Sequence, residues 1–223
     1  MTGRARVMGH TPLMATVPDR PAAVAAPRGA RGRPARYSRE ELLGLIVGVF
    51  NERGYEAASM SDLAAATGLT KSSFYHHFTS KEEILQMAVD RALDALSAAL
   101  DDSTTLAGTA VHRLENAIRR TTEILVDELP FVTVLLRVRG NTAVERETLA
   151  RRRRIDARLA ELVEQAARAG EIRDDIDPRL VSRLLFGMVN SVHEWYRPGS
   201  RTGSRRTIVD ATVSIALNGL RPR

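Results

Sequence analysis

Cysteine is missing from all 223 residues, which excludes disulfides, thiolate nucleophiles, Cys-ligated zinc and thiol redox sensing. Aromatic residues make up only 4%, and beyond residue 80 they are confined to Phe131, Phe186, Trp195 and Tyr196. Lysine is reduced to Lys71 and Lys81, so arginine supplies nearly all the positive charge. No apolar run approaches the roughly 18 residues that a membrane span needs. The N-terminus also lacks the apolar segment of a secretory signal, so the expectation is a cytoplasmic protein with no membrane partner. No phosphate loop, nucleophile–base pair or paired carboxylates with a plausible cleft stand out, so the chain does not read as an enzyme. His76 and His77 are neighbours, but adjacent helical residues diverge by about 100° and cannot share an ion. His10, His112 and His193 have no histidine partner at helical spacing, so neither metal nor cofactor is expected.

The charge that is present is concentrated at one end. The formal net charge is +6, and residues 1–37 carry all of it, with seven arginines against the single acid Asp19. This stretch is rich in Ala, Pro and Gly and shows no sustained apolar period, so it reads as a disordered basic arm. A basic arm on a neutral body points to a polyanionic partner, nucleic acid before a membrane surface.

From Ser38 the pattern turns helical and remains so, which predicts an all-α fold. Ser38 with Glu41, and Ser59 with Asp62, are capping boxes that open two helices. Leu42, Leu45, Ile46, Val49 and Phe50 define the expected inward face of the first. Gly54 ends it, Gly68 turns the chain after the second, Thr70 caps a third short helix, and Ser80 starts a long fourth one. Leu63, Leu69, Phe74 and Phe78 form the expected core of this small bundle. Further amphipathic segments are expected near 106–128, 130–139, 142–169, 178–196 and 204–219.

Helix, short helix, glycine turn and short helix make a helix-turn-helix. The stretch from Gly54-Tyr55 through Ser59, Leu63, Gly68-Leu69-Thr70-Lys71-Ser72-Ser73-Phe74-Tyr75-His76-His77-Phe78 to Lys81 resembles the TetR family of transcriptional regulators. Ser72 and Ser73 stand where that family often has a glycine and a Ser or Thr, a departure that touches base preference. The resemblance implies a three-helix DNA-binding domain over 38–85 and a helical ligand-binding and dimerisation domain over 86–223. A recognition helix enters the major groove by its N-terminus, so Thr70, Lys71, Ser72 and Ser73 are expected at base edges or nearby phosphates. Tyr75, His76, Lys81 and Ser59 are expected on the phosphate backbone. Residues 38–85 hold four bases against seven acids, so the arm is expected to supply charge that the module lacks. There, Arg31-Gly32-Arg33-Pro34 resembles the core of an AT-hook and places Arg31 and Arg33 in a minor groove. Without that resemblance, the run is a solvated linker.

The partners implied are a palindromic double-stranded operator, a second copy of the chain and a small-molecule effector. Val181, Leu184, Leu185, Met188, Val192 and Trp195, with Gly187, and Ile208, Thr212, Ile215 and Gly219 are the stripes expected to pair two copies in a four-helix bundle. Few rings are available for a cationic-drug cage, whereas Leu, Val and Ala suit an aliphatic or alicyclic skeleton. The run from Leu185 through Trp195-Tyr196-Arg197-Pro198 resembles TetR members that sense acyl-CoA thioesters. At 100° per residue Arg152 falls near the inward face of its helix, Arg151 at its edge and Arg153 away from it. Arg137, Arg152, Asn190 and Trp195 are the candidate effector contacts. An arginine run such as 151–154 is more often a solvated face with snorkelling stems. A drug-responsive efflux repressor, or a constitutive DNA binder without effector, are the alternatives.

Overall fold

The computed structural model describes residues 37–199 and 203–221, which form nine α-helices and no strand among the described residues. The arm expectation, with Arg31 and Arg33, lies outside them except at Tyr37, which is half-buried against the core. The helices are α1 (Arg39–Arg53), α2 (Met60–Thr67), α3 (Lys71–His77), α4 (Lys81–Thr105), α5 (Ala110–Asp127), α6 (Leu129–Arg137), α7 (Ala143–Arg168), α8 (Pro178–Trp195) and α9 (Arg205–Gly219).

Local chemistry sets most of the boundaries. Ser38 and Glu41, and Ser59 and Asp62, bond reciprocally as capping boxes, and Thr142 with Glu145 forms another at α7. Thr70, Ser80, Thr109 and Ser204 cap α3, α4, α5 and α9. Pro130 lies within the first turn of α6, where its missing N–H costs nothing. The break between α5 and α6 falls one step earlier than a proline break would put it, at Glu128, which serves as C-cap of one and N-cap of the other.

The inward face of α1 differs from the expected one. Leu42, Leu43, Ile46, Val47 and Phe50 are buried, whereas Leu45 is 44% exposed and Val49 only half-buried. This helix is apolar on most of its circumference, and it packs on α2, α4 and α6, which together select the phase. Leu63, Phe74 and Phe78 are buried as expected, and Leu69 is half-buried. Burial of each such side chain contributes about 1.5–3 kcal/mol.

α4 runs unbroken from the helix-turn-helix into the body, where it packs on α5, α6 and α7. α5 in turn packs on α7, α8 and α9, so its Leu114, Ala117, Ile118 and Leu125 lie at the centre of the body. No helix among the described residues is long and apolar enough to cross a membrane.

Glu145 shows how a carboxylate can be held inside this body. Burial pushes its pKa up, but main-chain N–H groups of Arg139, Thr142 and Asn141 and the Thr142 hydroxyl outweigh that and hold it below the usual value. A folded-state pKa below the unfolded one stabilises at pH above the ordinary glutamate range, and the effect fades as pH falls through the folded value. Glu145→Gln should therefore lower the urea midpoint at neutral pH, and the gap to wild type should close in acid.

Candidate functional site

Gly68 makes the helix-turn-helix corner. It adopts the left-handed conformation at φ 66°, which a side chain would strain, and its N–H bonds to the Ala65 carbonyl at 3.1 Å. The Thr70 hydroxyl then accepts from the Ser73 N–H at 3.2 Å and starts α3. Phe74 and Phe78, with rings 5.4 Å apart, turn inward and fix which side of α3 faces out. The outer side carries Lys71, Ser72, Tyr75 and His76, all exposed, together with Thr70 before them. Ser73 is half-buried against the bundle, so its hydroxyl is less available than that of Ser72.

The other cations of the module are engaged. Arg39 binds Glu83 and the His77 carbonyl and lies 5.4 Å from the centre of the Phe78 ring. Arg53 binds Asp62 at 3.0 Å, and the bonds from the Ser59 hydroxyl and main-chain N–H, more than this pair, hold the Asp62 pKa below its usual value. Lys81, expected at a phosphate, instead donates to the carbonyls of Tyr55, Glu56 and Ala58 at 3.0, 3.3 and 3.2 Å, over the Tyr55 ring. Its three protons are taken, so a phosphate contact would have to displace those bonds. Ser59 is exposed, but its hydroxyl is likewise tied into the capping box, 2.6 Å from Asp62. Lys71 is the one cation in residues 38–85 without a partner among the described residues.

The four expected effector contacts are not brought together. Arg137 lies at the end of α6 and donates to the Asn51 carbonyl of α1 at 2.6 Å, beside a cleft between those helices. Arg152 is half-buried on α7, where desolvation pulls its pKa down against the opposing pull of Asp156, and its guanidinium has no hydrogen-bond acceptor among the described residues. Arg151, at the edge of the inward face, crosses to Asp90 at 2.5 Å and to Asp94 on α4. Asn190 is half-buried on α8, and Trp195 is exposed at the end of that helix.

The expected pairing stripe divides in two. Val181, Leu185 and Val192 on α8, and Ile208 and Thr212 on α9, are buried within the chain. Leu184 (61% exposed), Gly187 and Trp195 on α8, with Ile215 (65% exposed) and Gly219 on α9, face outward; Leu180, outside the expected stripe, joins them, and Met188 is half-buried. The sequence reading merged these two faces, because both are apolar.

Sequence reasoning missed Arg91. Its guanidinium binds Glu128 through two bonds, at 2.8 and 2.9 Å, and Glu40 at 2.7 Å, and lies 4.3 Å from the centre of the Phe131 ring. One side chain on α4 thus joins the first turn of α1 to the α5–α6 break. Its partners lie 37 and 51 residues away, beyond any helical spacing rule.

Two family models match the chain. Residues 42–88 match the bacterial regulatory proteins of the tetR family, and residues 107–220 the tetracyclin repressor-like C-terminal domain. A solved TetR-family transcriptional regulator of Streptomyces coelicolor A3 is 52% identical, covering 81% of this chain and 90% of that one, with a TM-score of 0.75. The transcriptional repressor KstR2 of Rhodococcus jostii is 31% identical over 82% of this chain and 90% of the relative. AibR, solved with isovaleryl coenzyme A and operator DNA, is 27% identical over 79% of this chain and 96% of that one, with a TM-score of 0.68.

Three substitutions separate holding the module together from holding DNA. Lys81→Ala leaves three carbonyls without their donor and should lower stability by about 1–3 kcal/mol. Tyr75→Phe should leave the melting temperature unchanged and weaken binding to every duplex alike. Lys71→Ala should instead change the ranking of duplexes in a competition assay.

Proposed function

Given that this chain belongs to the TetR family of DNA-binding transcriptional repressors, and is not an enzyme, we propose that it sits as a homodimer on a palindromic operator and is released by a CoA thioester of an aliphatic or alicyclic acid. The exposed outer face of α3 carries the DNA half of this reading. Lys71, Ser72 and Thr70 read bases, Tyr75 and His76 hold the backbone, and the basic N-terminal arm, with Arg31 and Arg33, adds the generic attraction that the module lacks.

The outward stripe of Leu180, Leu184, Trp195 and Ile215 supports pairing, because an apolar face of this kind on α8 and α9 calls for a partner. The likeness to AibR bound to isovaleryl coenzyme A supports the effector class. Arg152 adds a physical reason, since a desolvated guanidinium without an acceptor suits a phosphate or carboxylate.

The direct test is release of the operator by a panel of short, long and ring-containing thioesters. A coupling of about 1–3 kcal/mol gives a 5- to 150-fold loss of operator affinity, and operator must weaken thioester binding by the same factor. Free acid and free CoA should each act more weakly. If a lipophilic cation released the operator and no thioester did, a drug sensor would replace this reading.

Leu184→Glu should split the dimer in light scattering and cost about 10²-fold or more in operator affinity, because two linked half-sites are lost. Deleting residues 1–36 should lower the log–log salt slope by about 0.9 for each phosphate contact removed.

A further inference from the structure

The cleft beside Arg137, one of the four residues the sequence nominates for the effector, is lined by none of the other three. It measures about 610 Å3 and lies between the C-terminal end of α1 with its following turn and the end of α6 with the loop to α7. That falls within the roughly 300–1,000 Å3 of ordinary small-molecule sites. Phe50, Leu85 and Val134 give it an apolar lining, and all three are buried.

Its polar groups are unbalanced toward donors. Arg137 binds only a main-chain carbonyl, and the Arg139 guanidinium has no partner among the described residues. Arg53, also at the cleft, binds Asp62, and elsewhere Arg39, Arg91, Arg119, Arg151 and Arg205 bind carboxylates. The carboxylates at the cleft are already committed. Glu145 accepts from the N–H groups of Arg139 and Thr142, and Glu56 accepts from the Asn141 amide. The Tyr55 hydroxyl in the wall is buried with no hydrogen-bond partner among the described residues, and so, behind the lining, is the Oδ1 of Asn51, the residue that ties α1 to α6. Burying a hydroxyl unpaired is costly, so this wall gains by rearranging around an acceptor.

We propose that this cleft is a second ligand site, which takes a small amphipathic carboxylate. The carboxylate meets Arg137 and Arg139, the Tyr55 hydroxyl turns toward it, and the hydrocarbon tail covers Phe50 and Val134. Arg137 and Asn51 also carry the bonds that hold α1 to α6. A ligand that draws Arg137 from the Asn51 carbonyl loosens the DNA-binding module from the body, so operator affinity falls. This regulatory half rests on the operator reading. The binding half is read by calorimetry alone, so the two can fail separately.

The full chain is titrated with octanoate, octanol and octylamine, and operator binding is followed by fluorescence anisotropy. Octanoate should bind once per chain, with octanol and octylamine at least about tenfold weaker because the charge-assisted bonds are lost. Arg139→Gln, which removes no side-chain bond among the described residues, should weaken octanoate by about tenfold without lowering the melting temperature. Tyr55→Phe removes an unpaired hydroxyl, so its melting temperature should not fall while octanoate binding weakens several-fold. Saturating octanoate should weaken the operator complex at least about fivefold, and R139Q should lose that response while keeping its ligand-free DNA affinity. Octylamine binding as well as octanoate, or R139Q binding octanoate like wild type, would overturn the site. A lower melting temperature for Y55F would show that the hydroxyl is already paired, and displacement of octanoate by octanoyl-CoA would place it in the effector region. Either result sinks the proposal.

Discussion

Everything that α3 does on DNA depends on how α1 and α4 are held, and that is decided largely by the Arg91 guanidinium. It is the only side chain described above that touches the first turn of α1, the α5–α6 break and an aromatic ring together. Bidentate pairing with Glu128 fixes its plane, and the Phe131 face below it excludes water from one side. Asn51 and Arg137 add two further bonds between α1 and α6. The helix-turn-helix therefore joins the body through an apolar seam with a few directional polar ties, and seams of that kind have discrete arrangements instead of a continuous range.

Polar ties of this sort recur through the body. Arg151 reaches from α7 to two aspartates of α4, Arg119 from α5 to Asp210 of α9, and Arg205 from α9 back to Asp127. With little aromatic surface to bury, the bundle orients its helices through such charge pairs over an aliphatic core. Each partly exposed pair adds little stability by itself. Together they set which helix faces which, and Arg152 is a half-buried guanidinium of α7 that takes no part in them among the described residues.

Features that depend on three or four consecutive residues were legible in the sequence. Ser38–Glu41, Ser59–Asp62, Gly68 and Thr70 act through bonds that their own neighbours complete, so spacing alone identified them. Phase was harder. In α1 apolar residues occupy 42, 43, 45, 46, 47, 49 and 50, a pattern compatible with several faces, and only the packing of α2, α4 and α6 chose Leu43 and Val47 over Leu45. In α8 and α9 two apolar faces were read as one for the same reason. Arg137 and Trp195 illustrate the remaining gap. The arginine suits the phosphates of a CoA thioester and the indole its apolar part, but their positions depend on which neighbouring helix lies across from them, and period carries no record of that.

The module keeps a single unengaged cation, Lys71, on its outward face. Generic affinity for duplex grows with the number of phosphates neutralised, through the counterions they release. One such charge gives little hold on arbitrary sequence, and the seven arginines of residues 1–37 are the chain's other reserve of it. Recognition and generic attraction are thereby separable along the chain, since the number of arginines in residues 1–37 can change without touching any residue of the recognition helix.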